Sequence, residues 1–199
     1  MVHKRRSRVS GSGRSQNALG PVRRKRRAGR RLILVLGGAA SGKSQYALDL
    51  ARSYGRRAFV ATAQALDQEM AERISRHRKG RGSDWTTAEV PVDLVGWLEN
   101  ESLKYQSIVL DCLTLWLSNL KGRGTSDEDV IDATAALLRT LDEAKGCVVV
   151  VTNELGLGLV PIEAGARAFR DLAGKVNQQF AELADEVHFV VSGVALRIK

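Results

Sequence analysis

An apolar run that feeds directly into GxxxxGKS and then into a helical pattern, LILVLGGAASGKSQYALDLA over residues 32–51, is an arrangement that cradles phosphates. Gly37, Gly38 and Gly42 let the chain turn so that consecutive backbone N–H groups point inward. Lys43 then reaches the β- and γ-phosphates of a bound nucleotide, and the Ser44 hydroxyl can hold Mg²⁺. The helix that follows adds the positive end of its dipole.

Further chemistry is expected where other apolar runs end. Thr62 and Gln64, Asp111, and Asn153 with Glu154 each follow such a run. Asp111, after Ile108 to Leu110, stands where the acid of a second nucleotide-binding strand holds Mg²⁺ directly or through water; a turn or capping carboxylate is the alternative. A switch GTPase would show a base-reading NKxD element, whereas this chain offers VTNELG. Arg167, Arg170, Asp171 and Asn177 fall on or near one helical face, which suits either anion binding or plain solvation.

Three histidines occur, the first of them in an N-terminal tail. His188 falls inside an apolar run and reads as a core histidine with a satisfied ring. His77 differs. Leu66, Met70, Ile74 and His77 step by four, four and three, which predicts that the imidazole shares the buried face of a helix. Arg73, Arg76, Arg78, Lys79 and Arg81 surround it, so imidazolium is disfavoured and a neutral, nucleophilic ring is expected. The same cations would attract a triphosphate and stabilise departing pyrophosphate. Spacing alone equally fits a solvated basic helix face.

The elements that must position these residues follow from the apolar runs. LILVLGG from Leu32, RAFVATA from Arg57, SIVLDCLTLWL from Ser107, GCVVVVTNE from Gly146 and EVHFVVSG from Glu186 read as strands covered on both faces, hence a parallel sheet. Helices are expected over Lys43 to Tyr54, Leu66 to Lys79, Val92 to Glu101, Asp127 to Lys145 and Glu163 to Ala184. The alternation predicts a single α/β domain, doubly wound, with a mostly parallel sheet and a P-loop, over residues 31–199. In such a sheet ligands sit beyond the carboxyl ends of the strands.

The net charge of +9 belongs to the first 31 residues, which hold 12 of the 31 Lys and Arg and no acid. The remainder carries 19 basic against 22 acidic residues. Residues 1–30, rich in Ser, Gly and Arg, read as a disordered basic extension, so the basicity is no argument for nucleic-acid binding by the body. Cys112 and Cys147, each in or beside an apolar run, indicate a reduced, cytoplasmic protein, and catalytic thiol chemistry is not expected. No apolar span is long enough to cross a bilayer.

Taken together, LILVLGGAASGKS, FVATAQALDQEMAERISRHRKGR, WTTAEVP, IVLDCLTLWLSNL, VVVVTNELGLGLVP, FRDLAGKVNQ and VVSGVALRIK resemble, in order and from about Leu32 to Lys199, the bifunctional adenosylcobinamide kinase / adenosylcobinamide-phosphate guanylyltransferase family of cobalamin biosynthesis. The resemblance implies two reactions at one nucleotide-binding region. One phosphorylates the aminopropanol hydroxyl of adenosylcobinamide with ATP or GTP; the other transfers GMP from GTP to the product, giving adenosylcobinamide-GDP. The family's guanylylated histidine lies in RIxxHR, here RISRHR, and so falls on His77. With Lys43 it forms the implied catalytic pair. Nucleotide contacts are implied at Gly37, Gly38, Ala39, Ala40, Ser41, Gly42, Lys43 and Ser44, at Ala61, Thr62 and Ala63, at Arg78, Lys79, Gly80 and Arg81, and at Glu89 and Asp111. Mg²⁺ would rest on Ser44 and Asp111. A homo-oligomer is implied, with a corrinoid as the substrate partner and neither membrane nor nucleic acid.

Two departures stand out. Ala40 replaces an Arg common in the family's phosphate loop, and Gly82 replaces a frequent proline, which suggests a looser turn after the histidine helix. Two other readings stay open at this point: a small-molecule P-loop kinase without histidine guanylylation, and a nucleotide-regulated nucleic-acid binder that uses the basic tail.

Overall fold

A computed structural model describes residues 29–199; the N-terminal extension lies, but for its last two residues, outside them. The order of elements is β1 (Arg30–Gly37), α1 (Lys43–Ala51), β2 (Arg57–Ala61), α2 (Gln68–Arg81), β3 (Trp85–Glu89), α3 (Leu94–Glu101), a 3₁₀ turn (Ser102–Lys104), β4 (Ser107–Asp111), α4 (Leu113–Gly122), α5 (Asp127–Glu143), β5 (Gly146–Asn153), α6 (Ala164–Leu183), β6 (Glu186–Val191) and β7 (Val194–Arg197). One sheet orders the strands β3-β2-β4-β5-β1-β6-β7, and only β7 runs antiparallel to its neighbour. This is the expected α/β architecture.

The core explains the wind. Along β1, Leu32, Leu34 and Leu36 enter a cluster with Trp116, Leu137, Val176 and Phe180 from α4, α5 and α6. The alternate residues Ile33 and Val35 enter a second cluster with Ala47, Leu48 and Ala51 of α1. Both faces of β1 and β5 are therefore dry, which is why these strands read as unbroken apolar runs.

Register carries the functional ends to one rim. Asp111 pairs with Ala61, Ala61 with Glu89, and Gly37 with Asn153. Carboxyl ends of five parallel strands thus open on the same edge.

Three expectations need correction. The strand expected to run from Ser107 through LTLWL stops at Asp111, and Leu113–Gly122 is a helix. Its apolar residues Leu113, Trp116, Leu117 and Leu120 are spaced to fill one helical face, and a short, largely apolar run does not distinguish that from a strand. Strands β3 and β7 were not anticipated; both are short edge strands, with few buried residues to mark them. Finally, α2 has no core face. Leu66 is 82% exposed ahead of the helix, Met70 and Ile74 are half-buried, His77 is exposed, and Arg81 is its one buried residue.

His188 behaves as expected: its ring is buried, with Nδ1 2.7 Å from the Tyr46 hydroxyl and Nε2 3.2 Å from Glu186. Asn177, by contrast, does not share an anion-binding face with Arg167 and Arg170. It is buried, donating to the Asn153 carbonyl and accepting from Thr152, while Arg167 donates to the carbonyls of Pro161 and Ile162.

Candidate active site

The phosphate loop bridges β1 and α1. Gly42 at φ 92° and Ala40 at φ 54° hold the turn in left-handed conformations, and no side chain caps the first turn of α1. A Cβ on Gly37 would lie 2.5 Å from Ser41 Oγ and 2.6 Å from the Val190 carbonyl oxygen, so only glycine fits beneath the loop. Ala40 keeps the loop's backbone turn although it lacks the charge of the arginine expected there. The β6–β7 turn braces the loop from outside, since Gly193 N–H donates to the Ser41 carbonyl at 2.8 Å. That turn, Ser192–Gly193 with φ 50° and 81°, is a two-residue hairpin signalled by SG between apolar runs, and sequence reasoning passed over it.

Lys43 lies back over the loop, with Nζ donating to the Gly38 carbonyl at 2.9 Å. Burial pulls its pKa below the usual lysine range, and Asp111 opposes that shift. Asp111 is pushed the other way. Burial raises its carboxyl above the ordinary range, while a hydrogen bond from Ser44 and the nearby Lys43, His77 and Arg81 side chains counter the rise. Two hard oxygens, one from α1 and one from β4, are thus held together. That pair fits Mg²⁺, which takes one or two protein ligands and fills its octahedron with phosphates and water. No group of three His, Cys, Asp or Glu side chains among the described residues could form a metal cage by itself.

Two cavities open at the rim. The first, about 300 Å³, runs between the phosphate loop, the ends of β2, β3 and β4, and the inner face of α2. Of the expected site residues it takes in Gly38, Ala39, Lys43, Ser44, Ala61, Ala63, His77, Arg78, Arg81, Glu89 and Asp111. The second, about 420 Å³, lies on the other side of Lys43 and includes Ala40, Ser41, Gly42, Ser44, Gly80 and Arg81. Lys43, Ser44, Phe59, Arg73, His77 and Arg81 line both. The imidazole therefore stands on the shared wall, exposed to ligand space rather than packed in a core.

Gly37, Thr62 and Lys79 line neither cavity. Gly37 is buried beneath the loop, and Lys79 is exposed. Thr62 is fully buried, and its hydroxyl donates to the Cys112 carbonyl at 2.8 Å and accepts from the Cys112 N–H at 2.7 Å. Thr62→Val is expected to leave a buried N–H without a partner and to lower stability by about 2 kcal/mol, read as the urea midpoint. Unchanged stability with weakened nucleotide binding would instead assign the hydroxyl to the ligand.

Several lining residues were not named as site residues from sequence, although Met70 and Ile74 were placed on the face of His77. Phe59 carries the Arg81 guanidinium 3.9 Å above its ring, and Met70, Ile74, Thr87, Leu115 and Leu155 supply apolar wall. Thr87 lies two residues before Glu89 on β3, an element sequence reading did not assign. Gly82 adopts φ 78°, a value closed to proline, so the turn after α2 could not keep this conformation with the expected proline.

Comparison with known proteins identifies the relatives of this chain. The family described as cobinamide kinase / cobinamide phosphate guanyltransferase matches residues 33–198. The chain is 41% identical over 181 residues to the bifunctional adenosylcobalamin biosynthesis protein CobU of Salmonella typhimurium, covering 84% of this chain and 99% of that protein. It is 40% identical over 180 residues to CobU of Escherichia coli, with the same coverage, and 42% identical over 168 residues to CobP of Pseudomonas aeruginosa, covering 83% and 96%. Among solved structures, a KaiC-like protein from Pyrococcus horikoshii aligns with a TM-score of 0.46 and 13% identity over 80% of this chain and 70% of its own. Matched over residues 33–198 and 40–42% identical to these three proteins over nearly their whole length, this chain belongs to the cobinamide kinase / cobinamide phosphate guanyltransferase family.

Proposed function

We propose that this enzyme phosphorylates the aminopropanol hydroxyl of adenosylcobinamide from ATP or GTP. It then transfers GMP from GTP to that phosphate through a guanylyl-histidine at His77. The observation that carries this reading is the position of His77, on a wall common to both cavities and beside Lys43 and Ser44. A residue on a solvated helix face would have no such neighbours.

In the guanylyl step the free lone pair of the imidazole attacks the α-phosphorus of GTP. A P–N bond forms, the α–β bridging P–O bond breaks, and pyrophosphate leaves with that electron pair. Lys43 and the loop amides take up the developing charge. The proton on the other ring nitrogen stays in place. An oxygen of the acceptor phosphate then attacks the same phosphorus, the P–N bond breaks, and the imidazole recovers its electrons. Splitting the transfer lets a bulky corrinoid enter after pyrophosphate has gone.

Ser44 and Asp111 would hold Mg²⁺, which supplies charge neutralisation at the phosphates. In the kinase step Lys43 and the loop orient the γ-phosphoryl group, and positioning accounts for most of the acceleration. Glu89, on the wall of the first cavity, is an acceptor-only side chain suited to the N1–H and N2–H donors of guanine.

A homo-oligomeric enzyme of the cytoplasm completes the proposal. Leu157, Leu159, Val160 and Ile162, exposed after β5, supply apolar surface for self-association, and the buried free thiols Cys112 and Cys147 suit a reducing compartment. Among the described residues no helix is long and apolar enough to cross a membrane.

Incubation with GTP labelled at the α- or the γ-phosphate tests the reading. The α-label is expected on protein, stable to alkali and lost in acid; the γ-label is not. Absence of α-label from active protein would leave a plain kinase.

A further inference from the structure

Glu154 has no part in the guanylyl step, the Mg²⁺ pair or the phosphate loop, yet it lines the first cavity beside Lys43 and Ser44. Its N–H donates to the Gly37 carbonyl at 3.1 Å, which ties it to the residue from which the phosphate loop turns. Buried polar groups fix the strand end that carries it. Thr114 Oγ1 accepts from the Asn153 N–H at 2.9 Å, Asn177 donates to the Asn153 carbonyl at 3.1 Å, and Thr152 donates to Asn177 at 2.9 Å. A satisfied buried network of this kind rigidifies what it holds.

Phosphorylating an alcohol makes a demand that the guanylyl step does not, because the attacking oxygen carries a proton that must leave. Few groups can take it. Three carboxylates line the first cavity, Asp111, Glu89 and Glu154, and none lines the second. Asp111 accepts from Ser44 and, with it, would hold Mg²⁺. Glu89 ends β3, four strands from β1 in the sheet, so its strand end lies roughly 19 Å along the rim from the phosphate loop. Glu154 follows β5, the direct neighbour of β1. Its Oε1 accepts from the Gly156 N–H at 2.9 Å, which orients the group, and a carboxylate has further acceptor capacity to spare. His77 is the other candidate on these walls, and its alanine variant separates the two.

Resting on the kinase half of the proposed function, we infer that Glu154 is the proton acceptor of the phosphoryl-transfer step. The hydroxyl oxygen of the corrinoid alcohol forms a bond to the γ-phosphorus as its own O–H bond breaks toward the Glu154 carboxylate. The bridging P–O bond between the β- and γ-phosphates breaks, and the nucleoside diphosphate leaves with that electron pair. Glu154 then passes the proton to water. Uptake of GMP by His77 uses a free lone pair and moves no proton to a carboxylate, so Glu154 has no task in it.

Glu154→Gln tests this in the full-length protein, since the amide oxygen can still accept from Gly156 while the basic group is gone. With adenosylcobinamide as acceptor, kcat for phosphoryl transfer should fall about 10²- to 10⁴-fold, with KM for nucleotide and for alcohol within about threefold of wild type. Glu154→Asp should recover part of that loss. Uptake of α-label from GTP by Glu154→Gln should stay within about threefold of wild type, and its melting temperature should be unchanged. Phosphoryl transfer kept in Glu154→Gln and lost in His77→Ala would give the proton to the imidazole. Phosphoryl transfer kept in both would leave neither group as the acceptor, and equal loss of phosphoryl transfer and label uptake in Glu154→Gln would make Glu154 a strut of the phosphate loop; each of these overturns the inference. Wild-type protein that takes up α-label but does not phosphorylate the alcohol would instead overturn the kinase reading, and this inference with it.

Discussion

Replacing His77 with alanine is expected to abolish covalent labelling by GTP and to slow GMP transfer at least about 10³-fold, while phosphoryl transfer to the corrinoid alcohol stays within about threefold of the parent. Nothing in the phosphate loop leans on the imidazole. Lys43 is held by the Gly38 carbonyl, Ser44 is held by Asp111, and α2 is anchored through Arg81 over Phe59. Removing an exposed side chain from a helix that buries one residue should change stability by less than about 0.5 kcal/mol. The split between the two reactions is the diagnostic outcome. Label persisting in the variant would exclude His77 as the carrier. Parallel loss of phosphoryl transfer would give the ring a role in both steps.

How far the chain announced this arrangement differs from element to element. β1 and β5 were legible because each is dry on both faces, which leaves an unbroken β-branched run in the sequence. The phosphate loop was legible because Gly37 and Gly42 are demanded by close approach and by a left-handed φ, and Lys43 and Ser44 complete the motif at fixed spacing. His77 was found by type and neighbourhood, but its surroundings were misjudged. Met70 and Ile74 repeat at helical spacing, as core residues do, yet they line a ligand cavity, and a one-dimensional pattern cannot tell a dry core from a dry cleft. α4 was missed because Leu113, Trp116 and Leu117 resume the apolarity of β4 after a single acid, Asp111. Thr62 sits at a strand end like a ligand-binding residue, while its hydroxyl is spent joining the ends of β2 and β4. The division of ligand space into two cavities depends on where α2 crosses the rim, and no local signal encodes that.

Lys43→Met should reduce both reactions about 10²- to 10³-fold without weakening the nucleotide-free fold. Burial lowers the lysine pKa, so the folded protein holds this proton less tightly than the unfolded chain does. The charged amine therefore costs stability at every pH below its folded value. The cost is relieved as pH rises toward the unfolded value, and methionine removes it outright. The hydrogen bond to Gly38 and the attraction of Asp111 offset part of it, so the melting temperature at pH 7 should stay level or rise. Asp111 has the opposite charge and the same logic. Its raised pKa means that the carboxylate needed at the phosphates begins to be lost, as pH falls, at a higher pH than an ordinary aspartate would show. The profile of kcat/KM against pH, which reports the free enzyme, should therefore be a bell narrower on both sides than unperturbed lysine and carboxylate groups would give. Lys43→Arg should remove the alkaline limb, because guanidinium keeps its proton throughout, though at reduced rate from altered geometry. A melting temperature several degrees lower in Lys43→Met, with nucleotide affinity unchanged, would show the amine to be a structural strut and not a phosphate ligand. An alkaline limb that survives in Lys43→Arg would assign that titration to another group.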